Sequence, residues 1–425
     1  MKNRKIIGSI LIAVLALILM QLTGVLNYVN HKDKMGYNEI TSNSQNQDEN
    51  TIKQDDYLAE NNSEKDSEIS NNSKTEDNAI SYTDRRINKD IKNEEIENQP
   101  LKVVAVGDIL LGRGVQYHIE RVEKDYTYPF QYVADILRQG DIVFGDLEAP
   151  LTESTHGLDP NGKIVLKSPE RAAEGIKYAG FNVLNLANNH IMDYYEKGLI
   201  DTITVLDKHE IAYCGAGKNI EEARKPALLE KTGLKIAVLS YTDMAELTFK
   251  GNPMLRYAAG EDKSGVAPRE YEYIKEDMDS IRENVDVLII SLHWGVENSF
   301  YATEEQREFA YKLIDDGADV ILGHHPHRFQ GVEIYNDKPI IYSLGNFIFD
   351  QNDPNNQESF IVSMEIADEK LSALKLIPIR TIDKNHIIIP KDDEAIDMLK
   401  RELELCGELG SKCAIVDNII EFNIK

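Results

Sequence analysis

The chain has 425 residues, 42% of them hydrophobic, which suits one large or two ordinary globular domains and excludes a wholly disordered protein. Its 73 Asp and Glu against 47 Lys and Arg leave a formal net charge of -26, so no nucleic acid is expected as a partner, because phosphate binding needs a basic surface. An anionic polymer would also be repelled by the average field, so any anionic substrate must be held locally by a metal or by a few placed cations.

Residues 1–30 pair a basic cluster, Lys2, Arg4 and Lys5, with the apolar run IIGSILIAVLALILMQLTGVL. Roughly 20 apolar residues span a bilayer, and the basic end is expected to stay inside. The expectation is a single-pass anchor in the cell membrane, with the N-terminus in the cytoplasm and the globular part outside. A cleaved signal peptide is the rival, but the run exceeds the ~7–15 residues of a signal core and no A-x-A-like site follows it. Residues 31–100, rich in Asn, Ser, Asp, Glu and Lys, are expected to form a disordered polar linker, since they offer too little apolar surface to offset the entropy of ordering.

From LKVVAVGD onward, at residues 101–390, short apolar runs of strand length (VVAV, DIVF, VLNL, KIAVLS, VDVLIIS, ADVILG) alternate with helix-like stretches at 169–178, 196–208, 270–283 and 304–316. Buried strands alternating with helices predict an α/β domain with a largely parallel or mixed sheet. After Gln330 the runs VEIY, PIIYSLGNFIF, SFIVSMEI and LSALKLIPI follow one another through short turns, which predicts a second, antiparallel sheet. Residues 391–425 are expected to be a helical tail packed on the domain, with Ile396, Leu399, Leu403 and Leu405 or Cys406 at helical spacing. Cys214, Cys406 and Cys413 are too few for a disulfide scaffold; Cys406 and Cys413 could pair or remain buried thiols.

Five polar motifs follow apolar runs: GD at 107–108, GDLE at 145–148, NNH at 188–190, HW at 293–294 and GHHPH at 323–327. In open α/β sheets ligands gather at the carboxyl ends of strands. Imidazoles and carboxylates converging there suit zinc, manganese or iron, and a two-metal site also needs a bridging oxygen donor. The parts are Asp108, Asp146, Glu148, Asn189, His190, His293, His324, His325 and His327. Taken singly, Asp108 could cap a turn, NNH could be a turn with a surface histidine, and His293 could be a core histidine. GHHPH is harder to explain structurally, and the five together point to one site. Arg113 and Lys167 are candidate anion contacts near strand ends, and Asn346 and Asp350 could shape the site from the later strands.

VAVGDILLGR, GDLEAPLT, NLANNHIMDYYEKGL, HWGVE, GHHPHRFQGVE and YSLGNFIFD occur in the order seen in bacterial capsule-synthesis proteins of the CapA or PgsA type, associated with poly-γ-glutamate. The resemblance covers roughly residues 102–379. It implies a calcineurin-like metallophosphatase-type fold, a four-layer αββα sandwich with a dinuclear centre of divalent metal ions. By the same resemblance Asp108 matches the aspartate on the first metal, Asp146 the bridging aspartate, Asn189 the metal-binding asparagine, His190 the neighbouring catalytic histidine that acts as a general acid or binds transition-state charge, His293 an isolated histidine ligand, and His325 and His327 the closing pair. Two positions depart from the pattern. Leu110 stands where phosphatases have a histidine ligand, so the centre is expected to hold one metal, or two with Glu148 as a substitute. Asp146 stands where capsule-type proteins commonly have asparagine, and a carboxylate there favours a bridged pair. His324 is either an extra ligand or a group behind the ligands.

The resemblance implies an extracytoplasmic role in synthesis, export or release of poly-γ-glutamate, with the anionic polymer and other membrane capsule-synthesis components as partners. A general metal-dependent phosphoesterase acting on a phosphoester substrate, and a non-catalytic scaffold of a capsule assembly complex, are the competing expectations.

Overall fold

The computed structural model describes residues 99–158, 164–247, 257–391 and 393–424. The expected anchor at 1–30 and nearly all of the linker at 31–100 lie outside the described residues. No helix among the described residues is long and apolar enough to cross a membrane. The longest, Asp393–Glu408, has 16 residues, roughly 24 Å at 1.5 Å per residue against a hydrocarbon core of about 30 Å, and it is dotted with Asp, Glu, Lys and Arg. That finding corrects the expectation of a single-pass placement in the cell membrane, for which the described residues supply no span.

In chain order the strands are β1 (Leu101–Ile109), β2 (Ile142–Leu147), β3 (Val183–Asn185), β4 (Ala212–Cys214), β5 (Ala216–Gly217), β6 (Ala227–Lys231), β7 (Leu234–Thr242), β8 (Gly265–Val266) and β9 (Val287–His293). They continue as β10 (Val320–His324), β11 (Val332–Tyr335), β12 (Lys338–Ile341), β13 (Asn346–Ile348), β14 (Glu358–Ala367), β15 (Lys370–Ile382), β16 (His386–Ile388), β17 (Cys413–Val416) and β18 (Ile419–Phe422). The helices are α1 (Arg113–His118), α2 (Ala134–Leu137), α3 (Ala172–Ala179), α4 (Tyr195–Lys208), α5 (Ile220–Ala223), α6 (Tyr271–Ile281), α7 (Glu304–Asp315) and α8 (Asp393–Glu408). All four helix-like stretches expected before residue 317 are present as α3, α4, α6 and α7. Helix α7 has the clearest start signal: the Thr303 side chain accepts from the Gln306 backbone and Gln306 reaches back, a capping box.

The strands form a mixed α/β domain with two large sheets. The first runs β17-β18-β15-β14-β1-β2-β3-β4, with β13 on β1 and β16 on β15; the second runs β11-β12-β10-β9-β7-β6. Strands β1 to β4 are parallel to one another, as are β7, β9, β10 and β12. Period-two alternation sends neighbouring residues of β1 to opposite faces. Val103 and Ala105 join Phe144 and, from the second sheet, Val238, Ile289 and Leu322 in one core. Val104 and Val106 pack outward with Ile176 of α3 and Leu199 and Leu206 of α4. On the far side, Leu239, Ile290 and Ile321 pack against Ile274 of α6 and Leu313 of α7. Each fully buried aliphatic side chain contributes about 1.5–3 kcal/mol of transfer free energy, so faces apolar on both sides drive the two sheets together. That is why these strands read as continuous apolar runs rather than alternating ones.

The later strands do not make a sheet of their own. β14 pairs antiparallel with β1, β13 pairs parallel with β1, and β12 pairs parallel with β10, so they extend both existing sheets. Edge strands carry unpaired backbone groups, and the returning chain satisfies them. Beyond α8 the expected helical tail becomes the hairpin β17–β18, whose second strand pairs with β15. The buried face of α8 is Ala395, Met398, Leu399, Glu402, Leu405 and Cys406. It is rotated from the expected stripe, because Ile396 and Leu403 are not fully buried.

Candidate metal centre

The carboxyl ends of the central strands deliver the five motifs to one place. Asp108 lies near the end of β1, in register with Asp146 on β2 and with Asn346 on β13. His293 closes β9 and His324 closes β10, also in register with each other. A Cβ at Gly107 would sit 1.9 Å from the Gly345 carbonyl oxygen, so only glycine lets β1 come this close to the turn before β13. His325 and His327 flank Pro326 with φ of 95° and 58°, in the left-handed region that ordinary side chains avoid. Such strain costs of order 1–3 kcal/mol per residue and gathers at functional sites.

The side chains converge in three groupings, each with ligand atoms within 4.8 Å of one another: Glu148, His293 and His325; Asp108, Asp146 and His324; Asp108, Glu148 and His327. Asp108 Oδ1 lies 3.1 Å from His324 Nδ1 and its Oδ2 lies 3.4 Å from His327 Nδ1. His293 Nε2 lies 2.8 Å from Asn189 Oδ1 and 3.7 Å from Glu148 Oε1, while its Nδ1 faces Asp146 Oδ2 at 3.4 Å. Asp108, Asp146, Glu148, His293 and His324 are wholly inaccessible to solvent. Among the described residues Asp108 Oδ2, Asp146 Oδ2, both Glu148 oxygens, His293 Nδ1, His324 Nε2 and His325 Nδ1 find no hydrogen-bond partner. Burying ionised groups in this way costs several kcal/mol each unless an opposite charge compensates. Converging, unpartnered nitrogen and oxygen donors are the set that a divalent transition metal takes, so the residues present fit such an ion.

Protonation follows the same crowding. Burial pushes the Asp146 carboxyl up to about 7, with Asp108 adding to the rise against the pull of His324. Burial, then Asp108 and Asp146, carries Glu148 well above the usual carboxylate range. Burial would also raise Asp108, but the adjacent imidazoles of His324 and His327 outweigh it and hold that carboxyl low. Burial keeps His293 and His325 well below the usual imidazole value, the neutral form that binds metals. Without a cation the carboxylates repel each other; a bound ion would lower all of them together.

His324, expected as either an extra ligand or a group behind the ligands, is buried against Asp108 in one of the three groupings. Leu110, standing where a ligand histidine was expected, packs with Ala149, Leu166 and Phe349. Asn346 Oδ1 lies 2.9 Å from His327 Nδ1, and Asn346 Nδ2 donates to the Asn356 carbonyl, so this amide orients a candidate ligand. His190 Nδ1 lies 2.7 Å from Asp193 Oδ2, which also accepts from the Leu166 backbone. Arg113 is engaged by Asp350, with Nη2 to Oδ1 at 3.0 Å and Nε to Oδ2 at 3.2 Å. Lys167 donates to the Ser154 carbonyl at 2.8 Å and lies over the Tyr194 ring. Both candidate anion contacts are therefore already tied to protein groups. Asn185, Asn188 and Asp193 were missed. Asn185 and Asn188 both donate to Asp146 Oδ1, at 2.6 and 3.2 Å. The doubled asparagine and the acid three residues after His190 were the available signals.

Residues 102–351 match the family described as Bacterial capsule synthesis protein PGA_cap. The chain is 33% identical to Capsule biosynthesis protein CapA of Bacillus anthracis over 285 residues, 67% of this chain and 68% of the relative. It is 33% identical to PGA biosynthesis protein CapA of Bacillus subtilis (strain 168) over 299 residues, 70% of this chain and 76% of the relative. Among solved structures, TT1561 of Thermus thermophilus aligns at 11% identity with a TM-score of 0.35, covering 64% of this chain and 97% of that one, a likeness too low to carry an argument. The match over most of the folded region and the two relatives together make this chain a member of the bacterial capsule synthesis PGA_cap family.

Proposed function

We propose that this protein acts in capsule or poly-γ-glutamate synthesis as a metal-dependent hydrolase or transferase, with the anionic polymer as substrate and other capsule-synthesis components as partners. The observation that carries the reading is Glu148: a carboxylate with no solvent access, both oxygens without a hydrogen-bond partner, set between His293 and His327. Buried this way the group is ionised only with a cation beside it and otherwise takes up a proton. The names of the Bacillus relatives support the capsule and PGA context. A calcineurin-like metallophosphatase architecture is the finer fold reading, supported by two stacked sheets with helices on both outer faces.

Asp108, Asp146, Glu148, His293, His325 and His327 would hold one or two divalent ions, of manganese, zinc or iron, with Asn189 beside His293. Bound there, such ions polarise a carbonyl or phosphoryl oxygen and activate water. Asp193 fixes the His190 ring by accepting at Nδ1, which leaves Nε2 to hand a proton to a leaving amine or alkoxide. The neutral, buried state of His293 and His325 keeps their lone pairs available as donors.

The test is metal analysis of the full chain purified without chelator, followed by turnover assays on poly-γ-glutamate and on generic phosphodiesters. Bound transition metal in the parent, reduced in His293→Ala, with cleavage or transfer of the polymer, is expected. No metal after reconstitution with manganese, zinc or iron overturns the proposal; turnover of phosphodiesters alone replaces the polymer with a general phosphoester substrate.

A further inference from the structure

We infer that Cys406 and Cys413 form a thiol–disulfide site, in which a low-molecular-weight disulfide oxidises the pair to a cross-link between α8 and β17 while Glu402 takes the proton of the buried thiol. None of the three belongs to the metal-ligand groupings, and the inference does not depend on the metal-dependent reading.

The fold brings the two cysteines together. They stand seven positions apart, and the chain reverses directly after Cys406. Gly410 N donates to the Gly407 carbonyl and Ser411 N to the Cys406 carbonyl, both at 3.0 Å, with Gly410 at a φ of 82°. Extended backbone then puts Ser411 and Cys413 on one side, and Cys413 pairs with Phe422 in the β17–β18 ladder. Both ends of the turn dock on β11. Val332 N donates to Cys406 Sγ at 3.3 Å, and Ser411 Oγ donates to the Val332 carbonyl at 2.8 Å. Across this turn the two thiols are hydrogen-bond partners. A cross-link here would join the β17 edge of the first sheet, through α8, to the β11 edge of the second.

The two thiols have different environments. Cys406 is wholly inaccessible to solvent, whereas Cys413 is half-buried and borders an open cavity of about 600 Å³ with Leu403, Gly407 and Lys412. An oxidant therefore reaches Cys413 first. The hydrogen bond from Cys406 lowers the Cys413 thiol against the effect of burial, and the same bond raises Cys406. The reachable member of the pair is thus also the one that supplies a thiolate. Cys406 Sγ donates to Glu402 Oε1 at 3.2 Å, and burial holds that carboxyl up at about 7, so it readily accepts a proton. Cys214 has no such setting: its Sγ lies 3.0 Å from Ser240 Oγ, and burial pushes its thiol up to about 12.

The reaction is thiol–disulfide exchange. The Cys413 thiolate attacks one sulfur of the small disulfide, forming a mixed disulfide and releasing one thiolate. Cys406 passes its proton to Glu402 and attacks the Cys413 sulfur, which forms the Cys406–Cys413 bond and expels the second thiolate. The protein loses two electrons and two protons, and the small disulfide is reduced to two thiols.

The experiment exposes the folded full chain to oxidised glutathione and follows intact mass, with tryptic mapping after alkylation; cleavage after Lys412 separates the two cysteines. The wild type is expected to lose two hydrogens, with the Cys406 and Cys413 peptides joined and Cys214 still alkylated after unfolding. Cys406→Ser should stop at one glutathione on Cys413, and Cys413→Ser should leave Cys406 unmodified while folded. Glu402→Gln should form the mixed disulfide at the wild-type rate and close the cross-link about tenfold or more slowly. Amide exchange in β17 of the oxidised wild type should slow by about tenfold or more, as a closed short loop restricts opening. A stable glutathione adduct on wild-type Cys413 without joined peptides, no reaction of the folded chain, or joining to Cys214 overturns the inference. Unchanged closure in Glu402→Gln overturns the role of Glu402, and unchanged amide exchange overturns the cross-link as a tie between α8 and β17. The wild-type map decides the pairing even where a variant fails to fold.

Discussion

His190 Nδ1 and Asp193 Oδ2 lie 2.7 Å apart, the acid fully buried and the imidazole 8% exposed. They stand three positions apart in a tight turn, so one short segment supplies both a proton carrier and the group that orients it. Asp193→Asn keeps an oxygen acceptor but removes the charge. It is expected to lower turnover about 10- to 100-fold with metal content unchanged. Steady-state kinetics beside metal analysis checks this, and the His190 ring nitrogen shifts in an NMR spectrum should report a changed tautomer population. Equal loss of metal and activity would place His190 and Asp193 in the scaffold of the centre instead.

Histidines inside and outside the centre should separate cleanly. His325→Ala and His293→Ala are each expected to lower metal content by about one ion per chain, since each removes a donor from the grouping they share with Glu148. His386 stacks on Tyr132, with centroids 4.7 Å apart, and packs on Tyr128; His156 is exposed beside Tyr195. Alanine at either should leave metal content intact, with a stability cost of about 1 kcal/mol at His386 from lost ring packing. Metal analysis of the four variants side by side decides it.

Gly107→Ala should be among the most damaging small substitutions in the domain. The added methyl would lie 1.9 Å from Gly345 O and 2.6 Å from Leu344 O, both backbone atoms that cannot swing aside. A cost of about 3 kcal/mol is expected, together with weaker metal binding as Asp108 is pushed off its register. Urea unfolding and metal titration of the variant measure the two effects.

Glu402 gives a pH dependence far from the centre. It is buried on α8, where burial pushes its carboxyl up to about 7 despite the hydrogen bond from Cys406. The folded state thus holds a proton that the unfolded chain releases near the ordinary carboxylate value. Stability attributable to this group falls as pH rises from the ordinary value to about 7, then stays constant at its lower level. Glu402→Gln should remove that slope and stabilise the protein at pH 8 by up to about 3 kcal/mol. Denaturant unfolding at about pH 5 and about pH 8 checks the sign: a larger gain at the lower pH than at the higher would contradict it.

By itself the sequence determined the local elements and the positions of the donors. Apolar runs of strand length and the helical periods of α3, α4, α6 and α7 are short-range properties, and GD, GDLE, NNH, HW and GHHPH all sit at or just beyond strand ends, as their order along the chain implies. Tertiary structure alone decided how the strands were shared between two sheets, because backbone pairing of β14 with β1 or β12 with β10 joins segments far apart in sequence. It also decided which neighbour in each motif does the work. His324 turns to Asp108 while His325 turns to His293 and Glu148, and one Asp146 oxygen is taken by Asn185 and Asn188 while both Glu148 oxygens stay without a hydrogen-bond partner among the described residues. Residue type and spacing are alike for both members of each pair; side-chain direction and occupied lone pairs are set by what packs around them.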